Sequence, residues 1–301
     1  MAGKAADATP YRLFDLTLVR RAALTPCLTR FTFTGPDMAR MTTIAPDQRI
    51  KVFFPDSRGR AADIPRRPDW YAWWKAQPEA DRSPMRTYTI RALRPAAAEV
   101  DIDFVLHGET GPASRWAMRA QPGDAVQITA PDRAFAGEAG GYEWKPPRDV
   151  RDVLLIADET ALPALCGILE DLAAWPAPPT VQAFIETPGP DDRLPLPAWP
   201  RLSATWMDRA GWAEDEPPMV AAARRARLPQ PNAVGQALPD VDVDAGILWD
   251  RAEAHRHGFY AWVAGEAGSV LAIRQHLVKD RGLDRRTLNL MGYWRKGRVL
   301  D

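Results

Sequence analysis

From residue 11 the chain alternates apolar and polar positions: Phe14, Leu16 and Leu18, then Leu28, Phe31 and Phe33, with threonines among them. A period of two belongs to a half-buried strand, because successive side chains point to opposite faces. Residues 11–34 therefore predict two paired antiparallel strands. The same period returns in DQRIKVFFP at 47–55, in RTYTIR at 86–91 and in EVDIDFVLH at 99–107. Pro55 ends the first of these by removing a ladder donor. Gly108 and Gly111 then turn the chain into a helix at Pro112 to Ser114, and Gln121-Pro-Gly starts a turn and strand that runs to Ala130. The sum predicts a six-stranded antiparallel barrel.

Beyond a glycine-rich loop at 137–147 the pattern changes, and we place a domain boundary there, with domains at 1–147 and 148–301. Short apolar strands are predicted at 153–157, 181–185, 202–206, 260–264 and 287–291, separated by helices at 161–174, 219–226 and 268–280. That alternation argues a parallel sheet covered on both faces, which binds its ligands at the carboxyl ends of the strands. The first strand-to-helix turn reads ADETALP, with no G-x-G-x-x-G. A glycine loop is therefore not how this domain would hold a nucleotide. Two stretches read as insertions. Residues 56–84 hold Pro65, Pro68, Pro78 and Pro84 and the aromatics Trp70, Tyr71, Trp73 and Trp74, which predicts one short helix at 69–76 with a small core of its own. Residues 208–250 are polar and read as a solvated loop with one helix.

Composition narrows the classes. Equal numbers of acidic and basic residues (39 each) in 301 leave no whole-molecule attraction to nucleic acid or to an anionic membrane. No apolar run reaches the roughly 18 residues of a membrane span, and the first residues lack an apolar signal core, so a soluble cytoplasmic protein is expected, a monomer by default. Two distant cysteines, Cys27 and Cys166, and four scattered histidines suggest neither disulfides nor a metal site.

Candidate chemistry gathers in a few places. RTYTIR sets Arg86 and Tyr88 on one face and Thr87, Thr89 and Arg91 on the other. Such a strand could seat a flavin, a guanidinium taking phosphate and a phenol lying beside a ring, or it could be an ordinary edge strand. At Pro112 to Ser114 the helix start could take a pyrophosphate on backbone N–H groups and the Ser114 hydroxyl; a plain capped helix is the alternative. Lys51 either reaches solvent or faces a pocket that needs a cation. Gly265-Glu266 ends a buried strand where a backbone must approach something closely, and GYWRKGR at 292–298 sets three cations behind two aromatics. Glu186, closing the second α/β strand, would favour a ribose 2′-hydroxyl and so NADH, an inference Arg193 could reverse.

Together RTYTIR (86–91), DFVLHGETGPASRWA (103–117), ADETALPAL (157–165), WVAGEAG (262–268) and GYWRKG (292–297) resemble the siderophore-interacting protein family of ferric-siderophore reductases, in order and over most of the chain. The resemblance implies an FAD-binding barrel followed by a nicotinamide-binding α/β domain of ferredoxin-reductase type. Arg86, Tyr88 and Thr89 would hold the flavin ring and its phosphate side. His107, Gly111, Ala113 and Ser114 would line the ribityl and pyrophosphate path. Asp158, Glu159 and Thr160 would stand near the nicotinamide nucleotide, Glu266 would occupy a position that relatives often give to cysteine, and Trp294 would join the cofactor site. Lys51, Arg133 and Arg295 would receive an anionic ferric siderophore. FAD would be the cofactor and NADH or NADPH the electron donor, with no catalytic side chain and no protein-bound metal. Two rival readings remain: a general NAD(P)H:flavin oxidoreductase serving a protein or quinone, and a carrier of ferric chelates without catalysis.

Overall fold

The computed structural model describes residues 9–106, 108, 111–230, 247–253 and 258–297. The chain divides into two compact units after Tyr142.

In the first unit β1 (Tyr11–Ala23), β2 (Leu28–Thr34), β3 (Arg49–Phe53), helix α1 (Trp70–Ala76), β4 (Met85–Thr89), β5 (Ala92–Arg94), β6 (Glu99–Val105), helix α2 (Pro112–Arg119) and β7 (Ala125–Pro131) follow in order. The seven strands form one sheet in the order β4-β3-β7-β1-β2-β6-β5. Seven rather than six strands arise because the segment read as one strand, 86–91, serves both edges of the sheet. Its first part pairs with β3, from Arg49 opposite Thr89 to Phe53 opposite Met85, and its continuation pairs with β6 from Ala92 opposite Asp101. The handover is visible in the backbone: Ile90 N donates to Gln48 O at 2.9 Å, and Arg91 N donates to Asp101 O at 2.9 Å. One bent ribbon thus links the two edges of the sheet.

The alternation that marks these strands sends Phe14, Leu16, Leu18, Phe31, Phe33, Ile50, Val52, Ile102, Phe104 and Ile128 into a single core, with Ala113 and Ala117 of α2 packed against it. Trp116 completes the cover, its ring centroid 5.3 Å from that of Phe54 and 5.8 Å from that of Phe31. The 56–84 segment builds its own small core, in which Trp74, Ile64 and partly buried Trp70 and Trp73 surround Phe53, Leu13 and Met85. On the polar face β6 carries an ion-pair ladder. Arg20 and Arg94 hold Glu99, Arg94 also holds Asp101, and Arg30 holds Asp103. Asp101 and Asp103 are buried, and forked guanidinium groups answer both oxygens of each carboxylate.

The second unit contains β8 (Asp152–Ala157), α3 (Leu162–Ala173), β9 (Thr180–Thr187), β10 (Leu202–Asp208), α4 (Pro218–Arg225), β11 (Trp249–Asp250), β12 (Phe259–Glu266), α5 (Ala267–Gln275) and β13 (Leu288–Trp294). Its sheet runs β10-β9-β8-β12-β13-β11. The first five strands are parallel, and β11 is a short antiparallel edge that the sequence pattern does not announce. Counted along the chain the parallel order is third, second, first, fourth, fifth, so the direction of winding reverses between β8 and β12. Leu154 and Ile156 of β8, Ala261 and Val263 of β12, and Leu288 and Leu290 of β13 form one cluster with α4 and α5. Residues of α3 lie outside that cluster. This corrects the reading of 208–250 as a solvated loop: α4 buries Met219 to Ala223 against the sheet. Among the described residues no helix is long and apolar enough to cross a membrane.

Candidate functional site

In the first unit Phe54 and Phe104, ring centroids 6.1 Å apart, make an aromatic floor. Tyr88 points from β4 onto this floor, its ring centroid 4.1 Å from that of Phe104 and 6.2 Å from that of Phe54. Burial pushes its phenol well above the ordinary tyrosine range, so the ring is neutral and serves as a surface rather than a base. Trp116 of α2 touches the same two phenylalanines, which brings β4 and α2 to one neighbourhood. Arg86 is half-buried, with Nη1 donating to Met85 O at 2.7 Å, and Thr89 is buried. His107 lies outside the described residues.

Helix α2 begins without a side-chain cap, its N-cap position being Gly111. Pro112 has no N–H, so Ala113 and Ser114 present the donors of the first turn. Among the described residues, a Cβ built at Gly111 would meet no non-neighbouring atom within 4 Å. Uncapped backbone donors, a serine hydroxyl, an arginine and a neutral aromatic surface are the set that a flavin with a pyrophosphate tail requires, and the residues present fit FAD.

Lys51 and Arg133 lie elsewhere on this unit. Lys51 stands on β3 opposite Thr87 and donates to its hydroxyl at 2.8 Å on the exposed side. Arg133 is exposed just past β7, and its Nη2 donates to Met41 O at 3.3 Å.

In the second unit the candidates meet at the carboxyl ends of β8 and β12, where the winding reverses and where such sheets bind their ligands. Asp158 is buried there with four donors on it. Thr160 donates its N–H (2.9 Å) and its hydroxyl (2.5 Å) to Oδ1; Glu266 N (2.9 Å) and Trp294 Nε1 (2.7 Å) donate to Oδ2. Its pKa is nevertheless pushed up to about 7, first by burial and then by the charges of Glu159 and Glu186. Gly265, at φ +159°, makes the approach possible: a Cβ there would stand 2.6 Å from Asp158 Oδ2 and 2.8 Å from Met219 Sδ. Glu266 caps α5, accepting from Ser269 N at 2.8 Å, and its other oxygen accepts from Arg295 Nη1 at 3.5 Å and Lys296 N at 3.3 Å. A carboxylate so engaged holds neighbours in place.

The residue that sequence reasoning missed is Arg209. Directly after β10, it forks onto Glu159 (2.6 and 2.7 Å) and donates to Glu186 at 2.8 Å. The other oxygen of Glu186 accepts from Met219 N at 3.1 Å, which corrects the reading of that carboxylate as one held ready for a ribose hydroxyl. Arg193 is likewise spoken for, since Asp208 holds it in an ion pair. Position at the carboxyl end of a parallel strand was the available signal for Arg209.

Similarity to known proteins agrees with this geometry. Residues 17–135 match the siderophore-interacting FAD-binding domain family, and residues 150–297 match the siderophore-interacting protein family. An uncharacterized Mycobacterium tuberculosis protein, Rv2895c, is 31% identical over 99% of this chain and 93% of its own. The ferric vibriobactin reductase ViuB of Vibrio cholerae is 28% identical over 95% of this chain and 90% of its own. The crystal structure of a siderophore utilization protein from T. fusca superposes with a TM-score of 0.71 at 26% identity, covering 98% of this chain and 97% of that one. The chain belongs to the siderophore-interacting protein family, and its first unit is that family's FAD-binding domain.

Proposed function

We propose that the protein is a ferric-siderophore reductase, using NADH or NADPH as donor and resident FAD to reduce iron(III) in an anionic chelate, in the cytoplasm where reduced nicotinamide is supplied. The observation that carries the reading is the aromatic floor that Tyr88 shares with Trp116 of α2, a helix whose N-cap Gly111 supplies no side-chain cap, in a chain similar along 95% of its length to a ferric vibriobactin reductase. When bound, FAD supplies the conversion of a two-electron donor into single-electron deliveries.

The protein's own residues bind and orient. Ala113 and Ser114 would take the pyrophosphate on their N–H groups, Arg86 would neutralise phosphate charge, and Tyr88 would offer its ring. At the switch point Thr160 and Glu266 shape the turn beside which a nicotinamide nucleotide would lie. Lys51, Arg133 and Arg295 would attract the chelate, raising its local concentration by complementary charge. Iron(II) binds hard anionic oxygens far less tightly than iron(III), so reduction loosens the metal and the protein needs no ligand of its own.

The test is anaerobic. Flavin-loaded protein is mixed with NADH or NADPH, then with a ferric catecholate, and iron(II) is trapped with ferrozine. Bleaching of the flavin followed by ferrozine colour is expected. Alanine at Lys51, Arg133 or Arg295 should raise KM for the ferric catecholate relative to a neutral quinone. A protein that takes up no flavin, or one whose alanine variants affect both acceptors equally, overturns the reading.

A further inference from the structure

Two glycines in the WVAGEAG stretch are shaped around side chains from distant parts of the second unit. Gly265 admits the Asp158 carboxylate, as described. Gly268, in the first turn of α5, admits Arg295: a Cβ there would lie 2.8 Å from Arg295 Nη1 and 2.9 Å from Glu266 Oε2. Between them Glu266 presents its backbone N–H to Asp158 and its side chain to Ser269, Arg295 and Lys296. Trp294, immediately before Arg295, gives its indole N–H to the same Asp158 oxygen. Asp158 therefore holds the segment that carries Arg295 at two points, one through the Trp294 side chain and one through the Glu266 turn.

We propose that Asp158 is a positioning residue: by fixing the Trp294 indole and the Glu266 turn it sets where the Arg295 guanidinium stands, and so how strongly the protein grips an anionic chelate. This deepens the reading of Arg295 given under Proposed function and rests on it. The groups that face Asp158 from neighbouring elements are Thr160, Glu266, Trp294 and, by charge, Glu159 and Glu186, the last two held by Arg209. The geometry accommodates either protonation state. A proton on Oδ1 can be donated to the Thr160 hydroxyl at 2.5 Å, leaving Oδ2 to accept from the indole and from Glu266. Asparagine can keep the Oδ2 contacts, its carbonyl oxygen accepting from the indole and from Glu266 N while its amide donates to the Thr160 hydroxyl, and it loses only the Thr160 N–H bond. Alanine cannot.

The experiment follows the Trp294 indole N–H resonance in 15N-labelled protein, assigned by its loss in Trp294→Phe, together with the affinity for a hexadentate tris-catecholate chelate of gallium(III), which carries the charge of the ferric complex but is not reduced. In Asp158→Ala the resonance should move and its exchange with solvent should quicken by about tenfold or more, since its acceptor is gone. Gallium-chelate binding should weaken by about tenfold, the loss of one well-placed charged contact. Asp158→Asn should restore most of both. An indole resonance unmoved in Asp158→Ala overturns the positioning role. A resonance that moves while chelate affinity stays at the wild-type value overturns the link to Arg295. If the alanine variant does not fold, Trp294→Phe decides: the inference requires weakened chelate binding there, with Asp158→Asn close to wild type, and fails otherwise. Wild-type protein that binds no gallium chelate instead overturns the proposed substrate, and the indole resonance still decides whether Asp158 positions Trp294.

Discussion

Replacing Arg209 with alanine strands two buried carboxylates, and the size of the effect follows from the contacts. Three charge-assisted bonds of 2.6 to 2.8 Å are lost. The side chains left behind are 2% exposed at Glu159 and 10% at Glu186, whereas Arg209 itself is 36% exposed. Removing one partner of a buried ion pair costs about 3–5 kcal/mol. Because water reaches one side of the guanidinium, the lower end applies, about 3 kcal/mol. In a unit of this size each kcal/mol lowers Tm by about 2–4 °C, so the calorimetric transition should fall by about 6–12 °C at neutral pH. The deficit should shrink on acidification, because protonating a stranded carboxylate removes the unpaired charge. Neutralising the partners as well, with Glu159→Gln and Glu186→Gln in the Arg209→Ala background, should recover more than half of the loss, since the cost lies in charge left behind. Differential scanning calorimetry of the three proteins at neutral pH and at about pH 5 measures all of this. A fall of less than about 2 °C, or an equal fall at both pH values, would refute the argument that Arg209 compensates a buried acidic cluster.

Three further outcomes are expected. Gly111→Val adds a side chain where, among the described residues, no non-neighbouring atom lies within 4 Å, at a φ of −160° open to any residue; the apoprotein should keep its Tm, while FAD affinity measured by titration calorimetry falls by about tenfold or more, and an unchanged affinity would move the pyrophosphate elsewhere. Arg94→Ala removes the fork on buried Asp101 and two bonds to Glu99, which should cost about 2–3 kcal/mol in urea unfolding; Arg94→Lys should recover only part, lacking the planar fork. Asp158, whose pKa is raised to about 7 in the folded chain, binds its proton more tightly folded than unfolded, so its contribution to stability is full below the ordinary aspartate range and is lost as pH rises through about 7; unfolding free energy measured across this window should fall for wild type relative to Asp158→Asn, and parallel curves would contradict the assignment.

Period-two alternation made the barrel strands readable because each buries one face. The strand count differed because a pattern of side chains cannot show that a ribbon changes hydrogen-bonding partners midway, as this one does between Ile90 and Arg91. In the second unit, apolar runs located every parallel strand. β11 went unseen, having only Trp249 and Asp250 to announce it. The start of α2 was legible too, since glycine and proline in sequence fix a local conformation.

What the sequence does not display is the set of contacts made where parallel strands end. Asp158 and Trp294 are 136 positions apart, and Glu159 and Arg209 are 50 apart. Asp158, Glu159 and Arg209 each look locally like solvated polar punctuation after an apolar run. Crossover connections of a parallel sheet return every strand in the same direction, so they deliver all these strand-end residues to one edge. Charge that local composition assigns to solvent therefore accumulates at that edge, and the fold must neutralise it internally. Arg209 does so for Glu159 and Glu186; at Asp158, burial and the charges of those two carboxylates raise the pKa against the pull of the Thr160 and Trp294 hydrogen bonds. The glycines of WVAGEAG follow from the same geometry, because carboxylates and guanidinium groups crowded at strand ends leave no volume for a Cβ at 265 or 268. A motif that reads in one dimension as a close backbone approach is, in three, a seat cut for Asp158 and Arg295.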